Sequence, residues 1–186
     1  MPDWNIEIAD EILFVRRPER ALNEHESLTS VAEFAIGLAG FSGIVVALGK
    51  RPGRWAPADR IRLLNVLLLA FGAGFMAYFP MVLAHAGLSG SLLWRSSSGG
   101  FLCAVIPMIL FGLIRMQKLP DDVKGLLHPF VYWLAVISGL VTILAQLLNM
   151  VGLGFQPQFA PYFLGLVILL LNGAIQFARM LFARPE

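Results

Sequence analysis

The stretch Ser30–Lys50, SVAEFAIGLAGFSGIVVALGK, decides the fold. Between its ends it carries a single charged residue, Glu33, and about 20 mostly apolar residues are enough for a helix to cross a bilayer. Helices in lipid gain little from the hydrophobic effect, so they associate where small residues let backbones approach closely. Small residues recur here at every third and fourth position. We therefore predict a central transmembrane helix that packs against its neighbours through Gly37, Ala39, Gly40 and Gly43.

The composition extends this interpretation to the whole chain. Of its 186 residues 58% are hydrophobic, and the mean hydropathy is +0.74, which exceeds the value typical of soluble domains. Further apolar runs follow one another with short joins. We predict an all-α polytopic membrane helix bundle of five transmembrane helices, or four if the third run dips into the bilayer and returns. The predicted spans are about 31–49, 61–86, 91–116, 129–151 and 161–182.

A polar segment, residues 1–29, precedes the transmembrane bundle of residues 30–186. It contains seven acids against three arginines. Ile8, Ile12 and Val15 follow helical spacing and predict a short amphipathic helix that ends before Pro18. Helices that adhere to anionic lipid are usually basic. We therefore expect this acidic helix to dock on the protein's own end.

The basic residues predict the orientation. The loops after the first and third spans, together with the C-terminus, carry ten of the 14 lysines and arginines, and the other side carries four. Because basic loops stay in the cytoplasm, the N-terminus is expected outside and the C-terminus in the cytoplasm. The compact, loop-poor chain suits a bacterial inner membrane.

Polar side chains inside the predicted spans are the candidate functional residues. A rise of about 1.5 Å per residue places most of them toward the outer side, with others continuing inward. Ionisable groups within a bilayer are expensive and often mark ion or proton routes. One hypothesis is therefore a transport or gating site that opens outward, formed by Glu33, His85, Arg95, Gln146, Asn149, Asn172 and Gln176, with Asn65 at the inner end of the second span.

Each of these residues also has a structural interpretation. Ser30 and Glu33 match the capping box Ser-x-x-Glu, in which the carboxylate reaches back to the first amides of a helix. Arg95 can extend to the interface or pair with the acidic N-terminal segment. His85 suits an interfacial position at the end of a span. The amides can form hydrogen bonds between helices.

Several classes of function find no support in the sequence. His25, His85 and His128 lie far apart and lack ligand spacing, so no metal site or bound cofactor is expected. The serines at 96–98 lack the surroundings of a nucleophile elbow, and no other catalytic motif is present. The basic loop 50–62 suits anionic lipid headgroups better than nucleic acid. Cys103, the single cysteine, cannot form an intrachain disulfide.

Three functions remain open. The first is a homo-oligomeric channel or transporter for a small ion or solute. The second is a non-catalytic accessory or assembly subunit of a larger membrane complex, with the glycine-rich helix as its docking face. The third is a membrane enzyme acting on lipid, with Glu33 and His85 as acid and base. The expected partners are the lipid bilayer and either further copies of the chain or another membrane subunit.

Overall fold

The computed structural model describes residues 4–49, 57–117, 129–153 and 157–182, and every regular element in these ranges is a helix. Each helix contains a stretch long and apolar enough to cross a membrane, which confirms the predicted all-α membrane fold with five spanning helices. The third helix has 28 residues, or about 42 Å of length, so it too can cross. In chain order the helices are α1 Trp4–Gly49, α2 Pro57–His85, α3 Gly90–Gln117, α4 Pro129–Val151 and α5 Phe159–Phe182.

Local sequence explains where several of these helices begin and end. Pro57 opens α2, at a position where its missing N–H would have no helical partner. Gly87 and Gly90, with φ of 94° and 58°, form the turn between α2 and α3, and Gly152, with φ of 77°, follows α4. Residues with a side chain rarely adopt such angles. The short turn makes α2 and α3 antiparallel neighbours.

The N-terminal region differs from the prediction of a separate short helix. Those residues are helical, but they belong to α1, which runs unbroken for 46 residues and is about 69 Å long. Its candidate membrane span is Leu22–Val45, earlier than expected. No glycine or proline lies between Pro18 and Gly37, so nothing in the sequence stops the helix at Ser30. The predicted docking of residues 1–29 depends on side chains that mostly lie outside the described ones.

The centre of the bundle is α5, which packs against each of the other four helices, whereas α1 packs mainly against α2 and α5. Two glycines make this central position feasible. A Cβ atom on Gly165 would lie 2.5 Å from Nε2 of Gln146, and one on Gly173 would lie 3.1 Å from a methyl group of Leu38. The expectation that the helix of Ser30–Lys50 would be central is therefore wrong. Close backbone approach occurs, but in α5.

Packing within the chain uses the face of α1 opposite to most of its glycines. Ala39 is buried as predicted, but Gly37, Gly40 and Gly43 have no described atom within 4 Å of an added Cβ. Side chains larger than glycine make the contact with α2 and α5. The buried residues of α1 are Leu28, Val31, Ala32, Ala35, Leu38, Ala39 and Ser42.

Candidate functional site

Arg95, near the start of α3, caps the C-terminal end of α4. Its Nε donates to the carbonyl oxygen of Met150 at 2.9 Å, and its Nη2 donates to that of Val151 at 3.0 Å. The last carbonyls of a helix lack partners within the helix, and the helix dipole is negative at that end. Neither sequence-based alternative, reaching the interface or pairing with the acidic segment, describes this contact. Arg95 holds two helix ends together.

Asn149, in the last turn of α4, joins three parts of the chain. Its Nδ2 donates to Oγ of Ser98 at 2.8 Å and to the carbonyl oxygen of Gln158 at 3.1 Å. Its Oδ1 accepts the backbone N–H of Gln158 at 2.9 Å. Asn149 and Ser98 are fully buried. The amide thus connects α4 with α3 and with the segment that leads into α5.

Two further amides also form contacts between helices. The fully buried Gln146 donates from Nε2 to the carbonyl oxygen of Pro161 at 2.8 Å, which ties α4 to the first turn of α5. Asn172 donates from Nδ2 to Oγ of Ser138 at 2.9 Å and to the carbonyl oxygen of Ile168, also at 2.9 Å. Asn172 therefore links α5 to α4. These residues have the structural role that interhelical hydrogen bonding predicts.

Sequence reasoning missed one buried partner in this region. Tyr162 is fully buried in α5, donates its hydroxyl to the carbonyl oxygen of Met76 in α2, and meets the ring of Phe101 edge to face. In the sequence it stands at the start of the last predicted span. A tyrosine at the end of an apolar run suits the membrane interface equally well, so the sequence does not distinguish the two positions.

His85 does not join Glu33 or Arg95 in a site. It is exposed at the end of α2, and its Nδ1 lies 2.7 Å from the carbonyl oxygen of Met81 in its own helix. No hydrogen bond or ion pair within the described residues joins His85, Glu33 and Arg95. Ala35 of α1 and Gly74 of α2 are at the same level. Glu33 precedes Ala35 by two residues and His85 follows Gly74 by eleven, so helix rise places His85 about 13 Å further toward the predicted outer side than Glu33. They are too far apart to act as one acid–base pair.

Glu33 lies near the middle of the bundle and not at a helix start. The capping-box interpretation is wrong, because α1 begins at Trp4 and Glu33 is well inside it. The side chain of Ala35 lies 3.5 Å from a Cβ on Gly74, close to the midpoint of the span Arg60–His85. Leu38 is likewise level with Gly173 of α5. Helix rise then places Glu33 about 4–5 Å from the midplane, on the N-terminal side.

No described residue covers the face of α1 that carries Glu33. Glu33, Gly37, Gly40 and Ile44 follow at i, i+4, i+7 and i+11, on the side of the helix opposite its buried residues, and we call this set the Glu33 face. Ile44 is 53% exposed. Glu33 itself is exposed and makes no hydrogen bond or ion pair with a described residue. A carboxyl group and two glycines therefore share an open surface at membrane depth.

An apolar groove runs between α1 and α5 beside this face. Phe34, Phe163 and Leu171 contribute to its walls, and Ser27 and Ser30 provide the hydroxyl groups of its described lining. Ser27 already donates to the carbonyl oxygen of Asn23. Because its described lining residues are apolar apart from these two serines, the groove suits a hydrocarbon chain.

These features define an integral membrane protein whose intramembrane amides mostly hold its helices together and whose Glu33 carboxyl group has no hydrogen bond or ion pair with a described residue. Among the residues with described side chains, no three histidines, cysteines, aspartates or glutamates come together in a way that could hold a metal ion. No family model, curated protein or solved structure matches this chain.

Proposed function

We propose that the protein is a homo-oligomeric channel or transporter for a small cation, in which the Glu33 faces of several copies line the passage. The observation that supports this is the position of Glu33, an ionisable side chain near the bilayer midplane that no described residue of its own chain covers. Gly37 and Gly40 flank it on the same face. An ionisable group within the membrane is most often a functional one.

The energetics favour a covered, hydrated environment for this group. A charged side chain that faces lipid near the bilayer centre costs about 2.5–3.5 kcal/mol on insertion scales. Facing a water-filled passage removes most of that cost. Rings of glutamate or aspartate side chains also favour cations over anions. A small cation is therefore the substrate class that this face suits.

We place the passage between copies of the chain because several of the polar side chains inside one chain are already used in contacts between its helices. Gln146, Asn149 and Asn172 are committed to contacts between helices. A route through α3, α4 and α5 would have to break these hydrogen bonds. At the Glu33 face, by contrast, Gly37 and Gly40 allow neighbouring α1 helices to approach closely, which would keep a shared passage narrow.

Cation flux into liposomes tests this proposal. Wild-type protein is expected to carry K⁺ or H⁺ down an imposed gradient, and Glu33→Gln is expected to reduce the flux at least about tenfold, because the amide removes the negative charge that attracts the cation. Glu26→Gln makes the same change two turns earlier on the same side of α1. It should leave more than half of the flux.

A second candidate function is supported by the lack of a counter-charge for Glu33 among the described residues. Arg60, Arg95 and Arg179 lie near helix ends, so no described basic side chain is level with Glu33. A transmembrane helix of another protein, with a lysine or arginine at that depth, would satisfy the carboxylate, and this chain would then be an accessory subunit. That function predicts no flux by pure wild-type protein and loss of a co-purifying membrane protein in Glu33→Gln. The same pair of results would contradict the channel.

A further inference from the structure

Four polar residues lie at about the same level where the N-terminal end of α2 meets the C-terminal end of α5. They form two pairs with i, i+3 spacing, Arg62 with Asn65 on α2 and Gln176 with Arg179 on α5. Residues three apart lie on the same side of a helix. All four are partly buried. We call this set the α2–α5 polar cluster.

The packing of the two helices brings these pairs level. α2 and α5 are antiparallel and in extensive contact, and a Cβ on Gly173 would lie 3.6 Å from Cβ of Leu69. One turn further along α5, Phe177 packs against the buried residues around Val66. Equal rise along both helices then places Gln176 within about one residue of the level of Asn65, and Arg179 within about one residue of the level of Arg62. The two arginines lie within electrostatic range of each other.

The cluster concentrates positive charge and hydrogen-bond donors. Two guanidinium groups lie together, and the N-terminal end of α2 adds its own partial positive charge. Arg179, Asn65 and Gln176 make no hydrogen bond with any residue that the structure describes. Asp59 is the one acid in this turn of the sequence. Like charges held together in a partly buried place favour an anion between them.

We propose that the α2–α5 polar cluster binds the phosphate group of an anionic phospholipid. Guanidinium groups pair with phosphate oxygens through two parallel hydrogen bonds, and the amides of Asn65 and Gln176 supply further donors. Arg62 lies near the start of the span Arg60–His85, and Arg179 lies near the end of Phe159–Phe182. That depth is the headgroup level. Basic pockets between transmembrane helices bind such headgroups, and this inference stands independently of the proposed channel.

The test is native mass spectrometry of the full-length protein, released from nanodiscs that contain equal amounts of phosphatidylglycerol and phosphatidylcholine. Wild-type protein should retain phosphatidylglycerol, and Arg179→Gln should retain about tenfold less, because a charge-assisted pair is lost. Arg60→Gln is the matched control. It removes the same charge from an exposed residue that lies about 160° around α2 from Arg62, and it should retain the lipid nearly as wild type does.

A charge-conserving variant separates a specific site from general attraction. Arg179→Lys keeps the charge but not the planar pair of donors, so an intermediate retention, about threefold below wild type, is expected. If Arg60→Gln lowers retention as much as Arg179→Gln, or if neither variant lowers it, the proposed site is wrong. Displacement of the lipid by glycerol phosphate at equal concentration would show that the cluster binds a soluble phosphate, and the proposal of a lipid ligand would be wrong. Thermal melting of each variant verifies that it is folded.

Discussion

Replacing Asn149 with leucine should lower the free energy of unfolding by about 2–4 kcal/mol, the sum of three hydrogen bonds at the values measured in membrane proteins. The substitution keeps the size of the side chain but removes every polar atom that contacts Ser98 and Gln158. Ser98 is fully buried, so its hydroxyl would have few alternatives. Reversible unfolding in mixed micelles of mild and denaturing detergent measures the change.

The matched control for Asn149 is Gln176→Leu. Gln176 is also an amide in a transmembrane helix, but it makes no hydrogen bond with a described residue, so its replacement should change the unfolding free energy by less than about 0.5 kcal/mol. Equal effects of the two substitutions would show that the hydrogen bonds of Asn149 do not set the stability. In that case the structural role given to Asn149 would be wrong.

Gly165→Leu should prevent normal folding or destabilise the protein by more than about 3 kcal/mol. The first atom of the new side chain would already lie 2.5 Å from Nε2 of Gln146 and 3.1 Å from Cζ of Phe101. To make room, Gln146 would have to give up its hydrogen bond to Pro161, and α5 would have to move from the centre of the bundle. Yield of monodisperse protein and detergent-unfolding midpoints report the effect.

Gly112→Leu provides the comparison for Gly165. Gly112 lies in α3, with no described atom within 4 Å of an added Cβ, and leucine forms helix more readily than glycine does. This variant should be at least as stable as wild type. If Gly165→Leu is equally well tolerated, the close packing of α3, α4 and α5 around Gly165 is not what stabilises the bundle.

The fold class could be predicted because the bilayer imposes a length on every spanning helix. Five apolar runs are visible in the sequence, and five helices contain them. The central helix could not be predicted, since Gly165 and Gly173 of α5 resemble Gly37 and Gly40 of α1. A glycine that packs against another helix and a glycine on an exposed face occur in similar apolar surroundings in the sequence. Only the contacts of α5 with four neighbours distinguish them.

The candidate residues were visible in the sequence, but their contacts were not. Arg95, Asn149 and Gln146 bind backbone groups at helix ends, and every residue type carries such groups. Residue identity therefore cannot reveal these partners. Glu33 was ambiguous for a different reason, because Ser-x-x-Glu has the pattern of a helix start while α1 passes through it. Because polar residues precede Glu33 in the sequence, the span was predicted to begin near it, and its position near the midplane could not be predicted.

Oxidative cross-linking in native membranes tests most directly whether copies of this chain meet through the Glu33 face. The variant is Gly40→Cys in a Cys103→Ser background, so that the only thiol lies on that face. A covalent dimer should form in high yield. The wild-type protein, whose only thiol is Cys103, exposed on α3, should form no covalent dimer under the same oxidant. Failure of Gly40→Cys to form the dimer, or equal dimer formation by both proteins, would contradict the proposed assembly.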